Sequence, residues 1–143
     1  LPDGYNGRMN IEDFTNWFLS ATKQSESFAF AELAPNIAEL IGSTCSVVLF
    51  SGENAVKQRD KHPDLSIDVY QMIAENISQP DALVRKDNGH KLVFFFIAEK
   101  WYEAIIKTTR DKSEVYLVSI YRSDERKLWK EAAKGELVYD GRK

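Results

Sequence analysis

Only one cysteine, Cys45, and two histidines, His62 and His90, occur among 143 residues. A single thiol excludes an intrachain disulfide and any multi-cysteine metal site. The histidines stand 28 positions apart and form no helical pair, so metal-ligand spacing is missing too. Glycine numbers 7 and proline 4; no glycine-rich phosphate loop and no Gly-x-Ser-x-Gly elbow can be drawn from them. A metalloenzyme, a nucleotide hydrolase and a serine hydrolase are therefore disfavoured, and neither metal nor cofactor is expected. The longest apolar run, Leu92–Ala98, is far too short to span a membrane. No signal peptide is visible, and a start on Leu1 rather than methionine suggests a processed or excised form. Cys45 opens the apolar run Cys45–Phe50 and reads as a small buried hydrophobe.

What is present describes one soluble globular domain, with 43% hydrophobic and 29% charged residues. The net charge of −3 argues against bulk affinity for nucleic acid. Its distribution is uneven. Residues 1–60 carry four basic and eight acidic side chains, residues 61–143 fifteen and fourteen. Between Lys107 and Lys134 eight basic residues meet five acidic ones, enough for a local cationic surface.

Helical patterns come first. Asn10 can cap a helix through Lys23, with Phe14, Trp17 and Phe18 on one face. Ser25 or Ser27 can start a second helix carrying Phe28, Phe30, Leu33, Ile37, Leu40 and Ile41, broken or kinked at Pro35 and ended at Gly42. Cys45–Ser51 reads as a short buried strand, the residues near Ala55–Asp60 as a short helix, and Ile67–Ile77 as a helix capped by Ser66. After Pro80 the period changes to two. Ala82–Lys86, Lys91–Ile97, Trp101–Thr109 and Glu114–Arg122 read as an antiparallel meander, its first turn marked by Asp87-Asn88-Gly89. Ser123-Asp124-Glu125 begins a last helix that stops at Gly135, and Leu137–Tyr139 adds a terminal strand. The expected fold class is α+β, with N-terminal helices packed on one face of a four-stranded antiparallel meander, and a C-terminal helix.

The other sheet face is left for function. Alternation assigns Trp101, Glu103, Ile105, Lys107 and Thr109 to it. If Asp111-Lys112 is a two-residue loop, Lys107 lies opposite Tyr116 and Trp101 opposite Arg122; a one-residue change substitutes Ser119 and Tyr121. Rings beside cations suit single-stranded RNA, which stacks its bases and needs its phosphates offset. RNA cleavage then requires a base for the 2′-OH proton, an acid for the leaving 5′ oxygen and cations for the charge on phosphorus. A histidine titrates near neutrality, so His62 suits either proton role. It equally suits a helix C-terminus, where a histidine satisfies carbonyls. Lys61, Arg85, Lys107 and Arg122 can serve phosphate. His90, after its turn, reads as exposed and idle.

The strand Ser46–Ser51, the run Lys61-His62-Pro63-Asp64-Leu65, a helix ending before Pro80, Trp101-Tyr102 leading to Lys107, and the strand Tyr116–Arg122 occur in an order that resembles the phage-associated barnase/EndoU/colicin/RelE-like nuclease group, PBECR. The resemblance covers about residues 45–140, so a nuclease-like domain over 45–143 would follow an N-terminal helical segment, 1–44, within one compact unit. It implies a metal-independent endoribonuclease, a toxin or effector module that forms a 2′,3′-cyclic phosphate. Related toxins cleave tRNA in the bacterial cytoplasm after delivery by phage or secretion, and an immunity protein holds them in check. Matching positions imply His62 as the acid/base, Lys61 and Arg85 as RNA contacts, Lys107 as the strand lysine, and Ser119, Tyr121 and Arg122 as the hydroxyl and basic residues of the last meander strand. Trp101 joins them as a stacking surface. Two rivals are a non-catalytic binding module that docks protein on the Trp101 face, and an immunity-type partner that covers a basic toxin with its acidic N-terminal half.

Overall fold

Asn10 starts the first helix, accepting a hydrogen bond from Asp13 N at 3.0 Å. Helix α1 spans Ile11–Ser20 and buries Phe14 and Phe18. It stops short of Lys23, where its last carbonyls meet an external donor: Arg59 donates to Phe18 O, Leu19 O and Ala21 O at 2.8, 3.0 and 2.8 Å. In this computed structural model residues 9–142 are described; 1–8 and 143, the outer ends of the two expected segments, lie outside the described residues.

The expected second helix is a strand followed by a helix. Phe28–Glu32 forms β1, paired antiparallel with β2, Val47–Phe50. Pro35 opens α2, Pro35–Ile41, instead of breaking it. Its fixed φ and missing N–H suit a first helical position. Gly42 closes α2 in the left-handed conformation at φ 81°. Helix α3, Gly52–Lys61, follows β2 directly from the Ser51 cap, and α4 spans Ile67–Asn76.

The meander is present as β3 (Ala82–Arg85), β4 (His90–Ile97), β5 (Lys100–Thr108) and β6 (Val115–Arg122), each antiparallel to the next. It does not stand alone. Helix α5, Glu125–Lys134, is capped by Asp124, and β7, Glu136–Asp140, returns beside β3. On the far side β2 joins β6 in parallel, Leu49 opposite Tyr116. The sheet is therefore seven-stranded and mixed, in the order β1-β2-β6-β5-β4-β3-β7, where four antiparallel strands were expected. Strand β1 and helices α1 and α2 share the sheet and main core with the later residues.

One face, with Tyr102, Ala104, Ile106, Leu117 and Ile120, packs on α1, α2 and α4 in the main core. The other carries Ala82, Val84, Leu92 and Phe94 under Leu128 of α5, with Trp101, Ile105 and Ala132 packed around them. That second face is half covered, not open. A helix that follows the last meander strand has a hydrophobic stripe of its own to bury, and this is the sheet surface it finds. Among the described residues no helix is long and apolar enough to cross a membrane.

Candidate functional site

The part of the second face that α5 leaves uncovered runs along β5 and β6, and α3 borders it. Strand β2 pairs with only three residues of β6, Val115–Leu117, so the rest of that edge would expose backbone donors and acceptors. Side chains of α3 take over. Asn54 Nδ2 donates to Leu117 O at 3.1 Å; Gln58 donates to Ile120 O and accepts from Ile120 N at 3.1 Å and from Ser119 Oγ at 3.3 Å. Buried Gln58 thus acts as a two-headed substitute for a strand residue.

A register shift in β6 decides what shares the strip. Ile106 faces Leu117 but Ile105 faces Ser119, leaving Val118 as an extra residue. Lys107 is opposite Tyr116, as one register predicted, yet past the bulge Glu103 is opposite Tyr121 and Tyr102 opposite Arg122. Both alternative registers hold, each on its own side of Val118. The strip accordingly carries Tyr116, Ser119 and Tyr121 with Lys107, Ile105 and Glu103.

Arg122 is the corrected member. Its guanidinium lies over the Tyr102 ring, 5.5 Å from the centroid, on the opposite face from Lys107. There it borders a groove of about 310 Å³ with Asp64, Ser66 and Lys100. On the β6 side Trp101 meets Ser123 rather than Arg122, its carbonyl accepting from Ser123 N at 3.0 Å, and on the β4 side it lies opposite Phe96, with ring centroids 5.2 Å apart. It packs on the α5 cluster, six residues along β5 from Lys107. Arg85 sits at the far side of the sheet, paired with Glu136 at 3.2 Å and donating to Leu40 O at 3.4 Å. Lys61 is exposed at the end of α3.

At one end of the strip His62 closes α3, its N–H donating to Gln58 O at 2.9 Å. Its half-buried ring stacks on Tyr121, centroids 5.6 Å apart and planes 17° apart. Tyr121 is itself fixed from below. Its hydroxyl donates to Glu103, which has no solvent exposure and also accepts from Ser123 Oγ at 3.2 Å. Lys127 completes the set, 3.3 Å from Glu103 and donating to Tyr121 Oη at 3.1 Å. Burial and the bond to Glu103 push the Tyr121 phenol up to about 12. Burial works against the Lys127 ammonium, but Tyr121 and Glu103 outweigh it and hold its pKa above the ordinary value. These partners satisfy a carboxylate that water does not reach. His62, Tyr121 and, through Gln58, Ser119 are thus one group.

Lys107 belongs to the other end. It is paired across the sheet with His90 on β4 and Tyr116 on β6, and the three line a cleft of about 580 Å³ closed by Asn54 and Glu53 of α3. Burial first, then the neighbouring Lys107 and Lys91, lowers the His90 pKa below its usual 6.5, so the imidazole is neutral at pH 7 beside an ammonium. The expectation that His90 is exposed fails here: it is half-buried and lines the cleft. Its partner could have been found from the connection between β4 and β5, because a two-residue loop at Ala98-Glu99 sets His90 opposite Lys107.

From Lys107 to Glu103 is four residues, roughly 13 Å at about 3.3 Å each. The His62 end and the Lys107 end are therefore neighbouring sites on one surface, not one reacting centre. Among the described residues no three His, Cys, Asp or Glu side chains are grouped so as to hold a metal ion. No protein-family model, curated protein or solved structure matches the chain.

Proposed function

We propose that this chain is a metal-independent endoribonuclease domain of the PBECR kind, a bacterial toxin or effector module acting on RNA in the cytoplasm, with tRNA as a candidate substrate and an immunity protein as its natural inhibitor. The observation that carries the reading is the strip itself: an imidazole stacked on a phenol at one end, and a lysine, a tyrosine and a second imidazole around a cleft at the other. A single RNA strand suits such a surface, since rings accept bases of any sequence and ammonium groups offset phosphate.

The chemistry falls to the His62 end. His62 takes the proton of the 2′-OH as that oxygen attacks phosphorus, the exposed Lys61 beside it in sequence offsets the charge that builds on the phosphate, and solvent on the open strip protonates the leaving 5′ oxygen. Ser119 orients the nucleotide together with Gln58. Lys107, roughly 13 Å along β5 from Glu103, holds the phosphate of a nucleotide further along the strand while its base stacks on Tyr116. Arg122 falls outside this scheme because it lies on the other face.

Incubation of total bacterial RNA with purified protein in EDTA, followed by end-group analysis, tests the reading. A discrete product ending in 2′,3′-cyclic phosphate is expected. His62→Ala should slow its formation by a factor on the order of 100 or more. Lys107→Ala should raise KM more than it lowers kcat. Intact RNA with folded wild-type protein would overturn the proposal. Phe96, 48% exposed beside Trp101, favours a second reading, a protein-docking module of the same fold. Binding lost on Trp101→Ala, with no RNA cleaved at any concentration, would select it.

A further inference from the structure

Two turns at one end of the meander bring four cations together. Arg85 ends β3 and is opposite Lys91 on β4, while Arg110 and Lys112 lie in the β5–β6 turn. With Gly42 at the end of α2 they line a recess of about 250 Å³. Among the described residues, Arg85 has one carboxylate partner, Glu136; Lys91, Arg110 and Lys112 have none within ion-pair distance. Asp111, the nearest acid in sequence, is turned into its own loop. Its Oδ1 accepts from Ser113 Oγ, Ser113 N and Thr109 Oγ1 at 2.7, 3.0 and 2.8 Å. Burial first, then Arg85 and Lys112, lowers the Lys91 pKa below its usual value.

The backbone of the β5–β6 turn is held, while the side chains of Arg85, Arg110 and Lys112 are exposed. Lys112 has φ 67°, and its carbonyl accepts from Thr44 N at 3.0 Å and Thr44 Oγ1 at 2.9 Å, which ties the turn to the end of α2. Solvated lysines at a turn tip usually carry no such tether, and holding like charges close costs stability. The recess also has a particular neighbour. Thr108 and Thr109 line both it and the His90–Lys107–Tyr116 cleft, so the two hollows share a wall. The recess opens on the α2 face of the sheet and the cleft on the other, so an RNA strand leaving the cleft at Lys107 reaches the recess by rounding the end of β5; guanidinium and ammonium groups are the usual partners of its phosphates.

We infer that this recess is a second phosphate subsite, holding the RNA backbone beyond the cleft, so that the substrate is an RNA segment long enough to reach past Lys107 and not a dinucleotide. The inference rests on the ribonuclease reading for the identity of the ligand. It assigns most of the binding energy, and most of its salt dependence, to residues outside the cleavage chemistry.

The test uses the full chain and the variants Lys91→Glu/Lys112→Glu and Arg110→Glu/Lys112→Glu, their folding checked by thermal midpoint. Affinity for a fully 2′-O-methylated, uncleavable single strand of about 12 nucleotides is measured against salt, beside turnover of a dinucleotide and of the cleavable long strand. Both variants should bind the long strand about 10-fold or more weakly at low salt, with a salt slope shallower by about 1 to 2. Turnover of the dinucleotide should not change. Wild-type affinity and slope in both variants would overturn the subsite, even where cleavage proceeds normally. A wild-type protein that binds the uncleavable strand through these residues but cleaves no RNA would keep the subsite and remove the ribonuclease reading. No binding by the wild type would remove the subsite.

Discussion

Partial burial and two ammonium groups act on the His90 ring in the same direction, against its charged form. Its pKa is lowered in the folded chain and returns to 6.5 on unfolding, so the sign of its contribution follows. Above that value both states are neutral and His90 leaves stability unchanged. As pH falls through 6.5 the unfolded chain takes up the proton first, and stability is lost until the folded ring is protonated too. Urea midpoints measured across this range should fall less steeply for His90→Gln than for wild type; parallel curves would show that the ring is not held neutral. Why the sequence hid this residue is local. His90 follows the strongest turn signal in the chain, Asp87-Asn88-Gly89, which marks it as a surface position. Its real environment comes from Lys107 and Lys91, and the Lys107 pairing depends on the geometry of a different turn. His62, Ser119 and Tyr121 were each named from the sequence, but only the bulge at Val118 and the bridge through Gln58 bring them together. The buried Glu103 and its half-buried partner Lys127 were not legible as a pair. A glutamate alternating with apolar neighbours reads as a surface residue unless its partners, twenty or more positions away for the lysine, are known.

Among the elements, the caps were written in the chain: Asn10, Gly42 and Asp124 begin or end helices where turn and cap chemistry places them. The β4–β5 connection was not. Ala98 and Glu99 both have positive φ, 53° and 63°, in a two-residue hairpin loop. That geometry ordinarily calls for Asn-Gly, and alanine in particular gains nothing from it. Replacing the pair by Ala98→Asn/Glu99→Gly should relieve the strain and stabilise the fold by about 1 kcal/mol. The thermal midpoint should then rise by about 2 to 4 °C; a lower midpoint would show that the present side chains hold the turn in some other way. Phe28–Glu32 was misread for a related reason. Phe30, Leu33 and Ile37 fall at helical spacing, i, i+3 and i+7, and only Phe28 and Phe30 alternate. Only the partner strand Val47–Phe50 decides between them, and it lies beyond any local window.

For the molecule as a whole, the joint between β2 and β6 is where the sheet's two portions meet. The chain up to Asn76 supplies two adjacent strands and the chain from Ala82 supplies five, and three residue pairs join them. Phe50, at the end of this joint, is fully buried and meets Phe14, Phe18 and Phe30. Phe50→Ala should cost about 3 to 5 kcal/mol, read as a large drop in urea midpoint; a loss under about 1 kcal/mol would mean that the two portions are held together elsewhere. Parallel pairing across more than sixty residues leaves no signature in either strand, which is why the meander was readable and the complete sheet was not. The joint also sets an order of events during synthesis. His62 and α3 leave the ribosome long before Tyr121, and until β6 arrives the imidazole has no ring to lie on and Gln58 no backbone to hold. A strip built this way comes into being only with the last strands, so under the proposed ribonuclease reading the chain could not cut its own messenger while that is still being read.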